Sequence, residues 1–132
     1  MVERLPDYLD TSAFIKLVRS EPESAALRRE LAGRELLSSA LLTVEGRRAA
    51  RRYGELATTR ARAALTAITL IPLDQPTLDA AAESDPAELR SLDALHLATV
   101  VSLGEDFGRL YCYDTRLTDA ARALGIEVAQ PK

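Results

Sequence analysis

The chain has 132 residues, of which 47% are hydrophobic and 28% charged, with a net charge of −3. That length suits one domain with a real core, so residues 1–132 are expected to fold as a single unit, and the composition excludes a disordered chain. An acidic balance excludes a general nucleic-acid coat, and aromatic content of only 5% leaves the core to Leu, Ala, Val and Ile.

Asp7-Tyr8-Leu9-Asp10 reads as a short buried strand, and Thr11-Ser12 offers N-caps for a helix through Ala13-Phe14-Ile15-Lys16-Leu17-Val18. Pro22 suits the first turn of a second helix that runs to about Leu31 and stops at Gly33. Glu35–Ser38 is a second strand. Ser39 can cap the next helix, which carries Leu41, Leu42, Val44, Ala49, Ala50 and Tyr53 and ends near Gly54. Thr58 or Thr59 starts another helix, and Thr69–Leu73 is a strand whose Pro72 marks an edge or an end. A short helix over Thr77–Glu83 and a loop with Pro86 follow. Ser91 caps a helix from Leu92 to about Leu103, apolar on nearly every side and therefore buried. Leu110–Tyr113 is a strand, Leu117–Leu124 a helix stopped by Gly125, and Ile126–Val128 a last strand. Strands alternating with helices imply parallel pairing and a three-layer α/β/α sandwich around a mainly parallel sheet.

Four acids sit badly in this pattern. Asp10 ends the first strand, Glu45 follows Leu41-Leu42-Thr43-Val44, Asp93 opens an apolar helix, and Asp114 closes Leu110-Tyr111-Cys112-Tyr113. A buried, unpaired carboxylate neutralises or finds a partner. Ligands of open α/β sheets bind beyond the carboxyl ends of the strands, where Asp10 and Asp114 stand. Two carboxylates about 4 Å apart repel by roughly 4 kcal/mol at an effective dielectric near 20, so convergence requires raised pKa values or cations. Oxygen ligands without cysteine favour Mg²⁺ or Mn²⁺ over zinc. Each acid also has a plainer explanation. Asp10 and Asp114 could cap the helices that follow them, Asp93 could answer a helix dipole, and Glu45 could pair with Arg48 or Arg52 on its own helix face.

The remaining chemistry is sparse. Cys112 is the only cysteine, which excludes an internal disulfide and a cysteine zinc cluster. His96 is the only histidine, and nothing nearby supports a Ser-His-Asp or Cys-His site. A hydrogen-bonded core or interface role suits it better. Basic residues cluster at Arg47, Arg48, Arg51, Arg52, Arg60 and Arg62, and acids dominate from Asp74 to Asp114. This division fits either a solvated helix face or a metal-dependent enzyme with a phosphate-rich substrate. Gly46, Ala49 and Ala50 allow close packing, in a dimer or in the core. There is no apolar signal core and no run of membrane-span length, so no membrane association and a cytoplasmic location are expected.

Taken together, Tyr8-Leu9-Asp10-Thr11-Ser12-Ala13, Val44-Glu45, Leu92-Asp93-Ala94-Leu95-His96-Leu97-Ala98 and Tyr113-Asp114 with Arg116-Leu117 resemble the PIN-domain nucleases, in particular the VapC toxins of VapBC type II toxin–antitoxin pairs. The resemblance spans essentially the whole chain. It implies a PIN fold and an Mg²⁺- or Mn²⁺-dependent endoribonuclease, cutting structured RNA such as tRNA or rRNA by metal-activated water. It makes Asp10, Glu45, Asp93 and Asp114 the catalytic, metal-binding acids, with Thr11 or Ser12 orienting Asp10. Asp119 could reach the site through water, although a place on the helix surface is the simpler expectation. Arg48 and Arg52 are the candidate RNA contacts. The implied partners are RNA, a cognate VapB-type antitoxin whose C-terminal segment lies over the site, and a second copy in a homodimer or a higher toxin–antitoxin assembly. The alternative function is a non-catalytic PIN-fold module that binds RNA or scaffolds a complex. An aspartyl phosphotransferase is disfavoured, because Ser12 stands where a second Asp would be needed.

Overall fold

The computed structural model describes residues 4–132. Asp7–Leu9 forms the central strand, β1, buried along its whole length. Its alternation splits the core in two. Leu9 points into a cluster with Phe14, Leu27, Leu42 and Ala61, while Tyr8 joins Leu97, Val100, Leu110 and Leu117 on the other face. Helices α1 (Thr11–Val18), α2 (Ser24–Leu31), α3 (Leu42–Arg51) and α4 (Glu55–Thr66) supply the first layer. Helices α6 (Ser91–Leu103) and α7 (Thr115–Ala123) supply the second, with α5 (Gln75–Ala82) packed on α6.

Between the layers lie β1, β2 (Leu36–Ser39), β3 (Ile68–Ile71), β4 (Leu110–Tyr111) and β5 (Val128–Ala129), ordered β3-β2-β1-β4-β5. Every pairing is parallel, so the expected α/β/α sandwich is the observed architecture. The chain grows outward from β1 to β3 and then returns to the other side of β1 as β4. The order therefore reverses between β1 and β4, and the crevice beyond their carboxyl ends is where open sheets of this kind bind ligands.

Several expected boundaries move, each for a local reason. Asp10, rather than Thr11 or Ser12, caps α1, its Oδ1 accepting from the Ala13 amide at 2.9 Å. Helix α2 starts at Ser24 rather than around Pro22, because the Ser24 hydroxyl accepts from the Glu21 amide and donates to the Arg19 carbonyl. Helix α4 starts at Glu55, since Gly54 turns the chain with φ of 101°, and Thr58 spends its hydroxyl on the Gly54 carbonyl inside the helix. Asp74 caps α5 and Asp114 caps α7, which lengthens both at their starts. Arg90 holds the cap position of α6, so Ser91 is its first helical residue. Ser39 ends β2 and its hydroxyl accepts from the Leu41 amide.

Helix α3 lies close to α1 because Gly46 has no side chain. A Cβ there would stand 2.8 Å from the Phe14 ring. Ala49 and Ala50 are buried beside it, so this small-residue stripe is core packing within the chain. The close approach also brings the preceding residue, Glu45, against the start of α1.

Candidate active site

The four acids arrive at the reversal crevice from four different elements. Asp10 ends β1, Glu45 lies in the first turn of α3, Asp93 lies in the first turn of α6, and Asp114 follows β4. Asp10 and Asp93 are buried, and Glu45 and Asp114 are half-buried.

Ser12 ties the two strand ends together. Its hydroxyl donates to both Asp10 oxygens, at 2.7 and 2.8 Å, and accepts from the Tyr113 and Asp114 amides at 2.8 and 3.2 Å. The Cys112 thiol donates to Asp10 Oδ2 at 3.1 Å. Every one of these partners of Asp10 is neutral. Burial therefore raises its pKa above the ordinary value, against the attraction of His96 and the bonds from Ser12 and Ala13. The same burial, with the carboxylate beside it, pushes the Cys112 thiol up, so it remains an inert thiol.

Thr11 does not serve Asp10; it donates to Glu45 Oε1. His96 Nε2 lies 3.1 Å from the same oxygen, and Nδ1 lies 2.8 Å from the Tyr8 hydroxyl. A carboxylate only accepts, so Nε2 carries the proton and, in the neutral ring, Nδ1 accepts from Tyr8. Burial holds the Tyr8 hydroxyl protonated, as that relay requires. Burial works to raise the Glu45 pKa, but the bonds from His96 and Thr11 outweigh it and keep the group ionised. Glu45 thus pairs with Thr11 and His96, and its expected partners Arg48 and Arg52 make no ion pair among the described residues. Both arginines are exposed and border a groove with Thr11, Glu45 and Leu92.

Arg90 is the residue that sequence reasoning passed over. Its Nε stands 3.1 Å from Asp93 Oδ2 and its Nη2 3.6 Å from Asp114 Oδ2. The Asp93 pKa is raised by burial and by repulsion from Asp114, and Arg90 offsets only part of that. A signal existed in the sequence. Arg90 is three residues before Asp93 and opens a helix, an end where a cation is unfavourable unless an acid answers it. Asp119 is exposed on α7, in a groove with Asp85, Leu89 and Arg116, apart from the four acids.

Thr11, Ser12, Arg52, Arg90 and Asp114 line one open cleft of about 410 Å³. Among the described residues, no three His, Cys, Asp or Glu side chains stand close enough to hold an ion as they are placed. The donor chemistry nonetheless fits a hard divalent cation. The donors are carboxylate oxygens, burial raises the pKa of Asp10 and, with repulsion from Asp114, that of Asp93, and a guanidinium already answers the Asp93–Asp114 pair.

The family pattern described as PIN domain matches residues 8–123, from within β1 to the end of α7, and so includes all four acids. The chain belongs to the PIN-domain family. Among curated proteins it is similar to Ribonuclease VapC46 of Mycobacterium tuberculosis strain H37Rv, 50% identical over 125 residues covering 94% of this chain and 96% of that protein. It is also similar to Ribonuclease VapC47 of strain CDC 1551, 39% identical over 130 residues with the same coverage of 94% and 96%. Within the PIN domains it therefore falls with the VapC group. In shape it is similar to Mycobacterium tuberculosis VapC20, described as a sarcin-ricin loop cleaving toxin. That match has a TM-score of 0.75 and 20% identity, and covers 95% of this chain and 99% of that one. A toxin–antitoxin complex from Klebsiella pneumoniae gives a TM-score of 0.71 at 24% identity, covering 96% and 98%. At such identities these two establish the shared fold.

Proposed function

We propose that this chain is the toxin of a type II toxin–antitoxin pair, an endoribonuclease that requires Mg²⁺ or Mn²⁺ and cuts structured RNA such as tRNA or rRNA. Membership of the VapC group supports the reaction class. The observation that carries the reading is Asp10, a buried carboxylate that receives only neutral hydrogen-bond donors and stands just beyond the carboxyl end of β1, where the strand order reverses.

In this reading Asp10, Asp93 and Asp114 hold the ion, with Glu45 as the fourth acid. The bound ion supplies Lewis acidity to the RNA phosphate and acidifies the water that attacks it. The chain's own residues do the positioning. Ser12 fixes both oxygens of Asp10 and, through the Tyr113 and Asp114 amides, the register of Asp114 against Asp10. Thr11 and His96 keep Glu45 ionised and hold its Oε1 in place. His96 is a positioning residue here and abstracts no proton from substrate. Arg48 and Arg52, exposed at the rim, suit contact with the phosphate backbone.

A VapB-type antitoxin is the expected inhibitor, a homodimer or a larger toxin–antitoxin assembly the expected form, and the cytoplasm the expected compartment. No helix among the described residues is long and apolar enough to cross a membrane. The test is cleavage of total tRNA and rRNA by the purified chain with Mg²⁺ or Mn²⁺ and with a chelator. Cleavage is expected only with the ion, and not with Asp93→Ala. Cutting that survives both the chelator and that substitution would overturn the assignment.

A further inference from the structure

Arg90 is placed where no purely structural requirement calls for a cation. It occupies the N-cap of α6, the end of a helix that repels positive charge, and its side chain is 65% exposed. Among the described residues, only acids pair with its side chain. Its Nε reaches Asp93 at 3.1 Å and its Nη2 reaches Asp114 at 3.6 Å, so one guanidinium answers two carboxylates that stand at the starts of two different helices, α6 and α7. Glu45 adds a smaller attraction. These are the oxygens assigned above to a divalent ion. A guanidinium and such an ion cannot share them without strong like-charge repulsion.

We propose, resting on the metal-dependent reading above, that Arg90 is a built-in competitor for the metal site: in the metal-free chain it neutralises Asp93 and Asp114, and it must swing away before an ion binds there. Its exposure makes that swing sterically free, because the side chain leaves toward solvent rather than through the core. Its attachment three residues before Asp93 keeps it always within reach, so it rebinds whenever the ion leaves. Arg90 therefore sets how much divalent ion is needed to load the site, and it weakens the repulsion between the unloaded acids.

The experiment is Mn²⁺ titration calorimetry on the metal-stripped full chain and on Arg90→Gln, Arg90→Lys and Arg47→Gln. Arg90→Gln is expected to bind Mn²⁺ about three- to tenfold more tightly, the scale of losing a partly exposed ion-pair competitor. Arg90→Lys should fall between it and the wild type. Arg47→Gln removes the same charge from the exposed face of α3 and should change the affinity less than about twofold, which separates competition from a general field effect. A second readout follows the Arg90 Nε–H by nitrogen-resolved NMR during Mg²⁺ titration. Its hydrogen-bonded signal should shift to the free position as the site fills. Equal Mn²⁺ affinity in wild type and Arg90→Gln, or an Nε–H unmoved by Mg²⁺, overturns the competitor while leaving the metal site intact. Absence of Mn²⁺ binding in every chain overturns both the competitor and the metal-dependent reading.

Discussion

Strand β1 carries a buried acid at each end, and the two live differently. Asp7, 1% exposed, accepts from Arg34 Nη1 at 3.2 Å and from the Arg109 amide at 3.0 Å. Arg34 also donates to the Tyr111 hydroxyl, which donates to Glu30, so a closed network seals the amino edge of the sheet. Asp10, 3% exposed, has Ser12, the Ala13 amide and Cys112 around it, and among the described residues no ion pair. A buried carboxylate with its own cation is complete, whereas one with neutral donors only is a charge waiting for a partner. On the proposed reading, the contrast separates an acid that holds the fold from one that serves the site, although both sit in the same kind of position and both are buried.

The contrast can be broken most sharply by removing each acid in turn. Asp10→Ala should lower RNA cleavage by on the order of a hundredfold or more while the chain stays folded, since even outer partners of metal ligands typically cost about 10–100-fold. Circular dichroism beside a cleavage assay checks both halves. Asp7→Ala should do the opposite. It strands Arg34 and opens the network, costing about 3 kcal/mol, or roughly 10 °C in Tm for a domain of this size, with cleavage per folded molecule kept. A Tm loss as large for Asp10→Ala as for Asp7→Ala would erase the distinction.

Smaller effects sharpen it. His96→Gln removes the Nε2 donor to Glu45 and should reduce cleavage about tenfold with little change in KM, the mark of a positioning residue acting through a ligand. Asp10→Asn keeps the shape and removes the charge, so the metal-free variant should be more stable than the wild type at neutral pH, as thermal denaturation would show. The pH dependence follows in sign. The folded pKa of Asp10 lies above its ordinary value of 3.8, so its ionisation penalty is absent below that ordinary value and develops as pH rises through the folded one. The stability advantage of Asp10→Asn should therefore shrink as pH falls toward about 4, and saturating Mg²⁺ at neutral pH should remove it as well. An advantage that is flat with pH would mean that the charge of Asp10 is not what burial opposes.

Much of this was legible in the chain. Alternation of strand and helix, apolar runs ended by an acid, and glycine stops gave the layers and all four candidate acids, because those signals are local and follow from backbone period and capping. Thr11 and Ser12 were also visible as neighbours of Asp10, but their division of labour was not. Ser12 fixes Asp10, whereas Thr11 turns to Glu45 across 34 residues of sequence. The shortest strands were overextended, since parallel pairing of Leu110–Tyr111 and Val128–Ala129 is set by their neighbours in the sheet and not by their own residues.

The sequence by itself determined that carboxylates stand at strand ends and helix starts, where burial makes them costly, and that oxygen donors dominate the site. Tertiary structure alone decided which of those charges found a cation. Asp7 and Asp10 are near-identical in local sequence terms, yet one meets Arg34 from the turn before β2 and the other has only neutral hydrogen-bond donors. His96 reaches Glu45 across 51 residues, and Arg90 spans Asp93 and Asp114 from two separate elements. Electrostatic energy depends on distance in space and on solvent exposure, and neither quantity exists until the sheet order has brought these side chains to one edge.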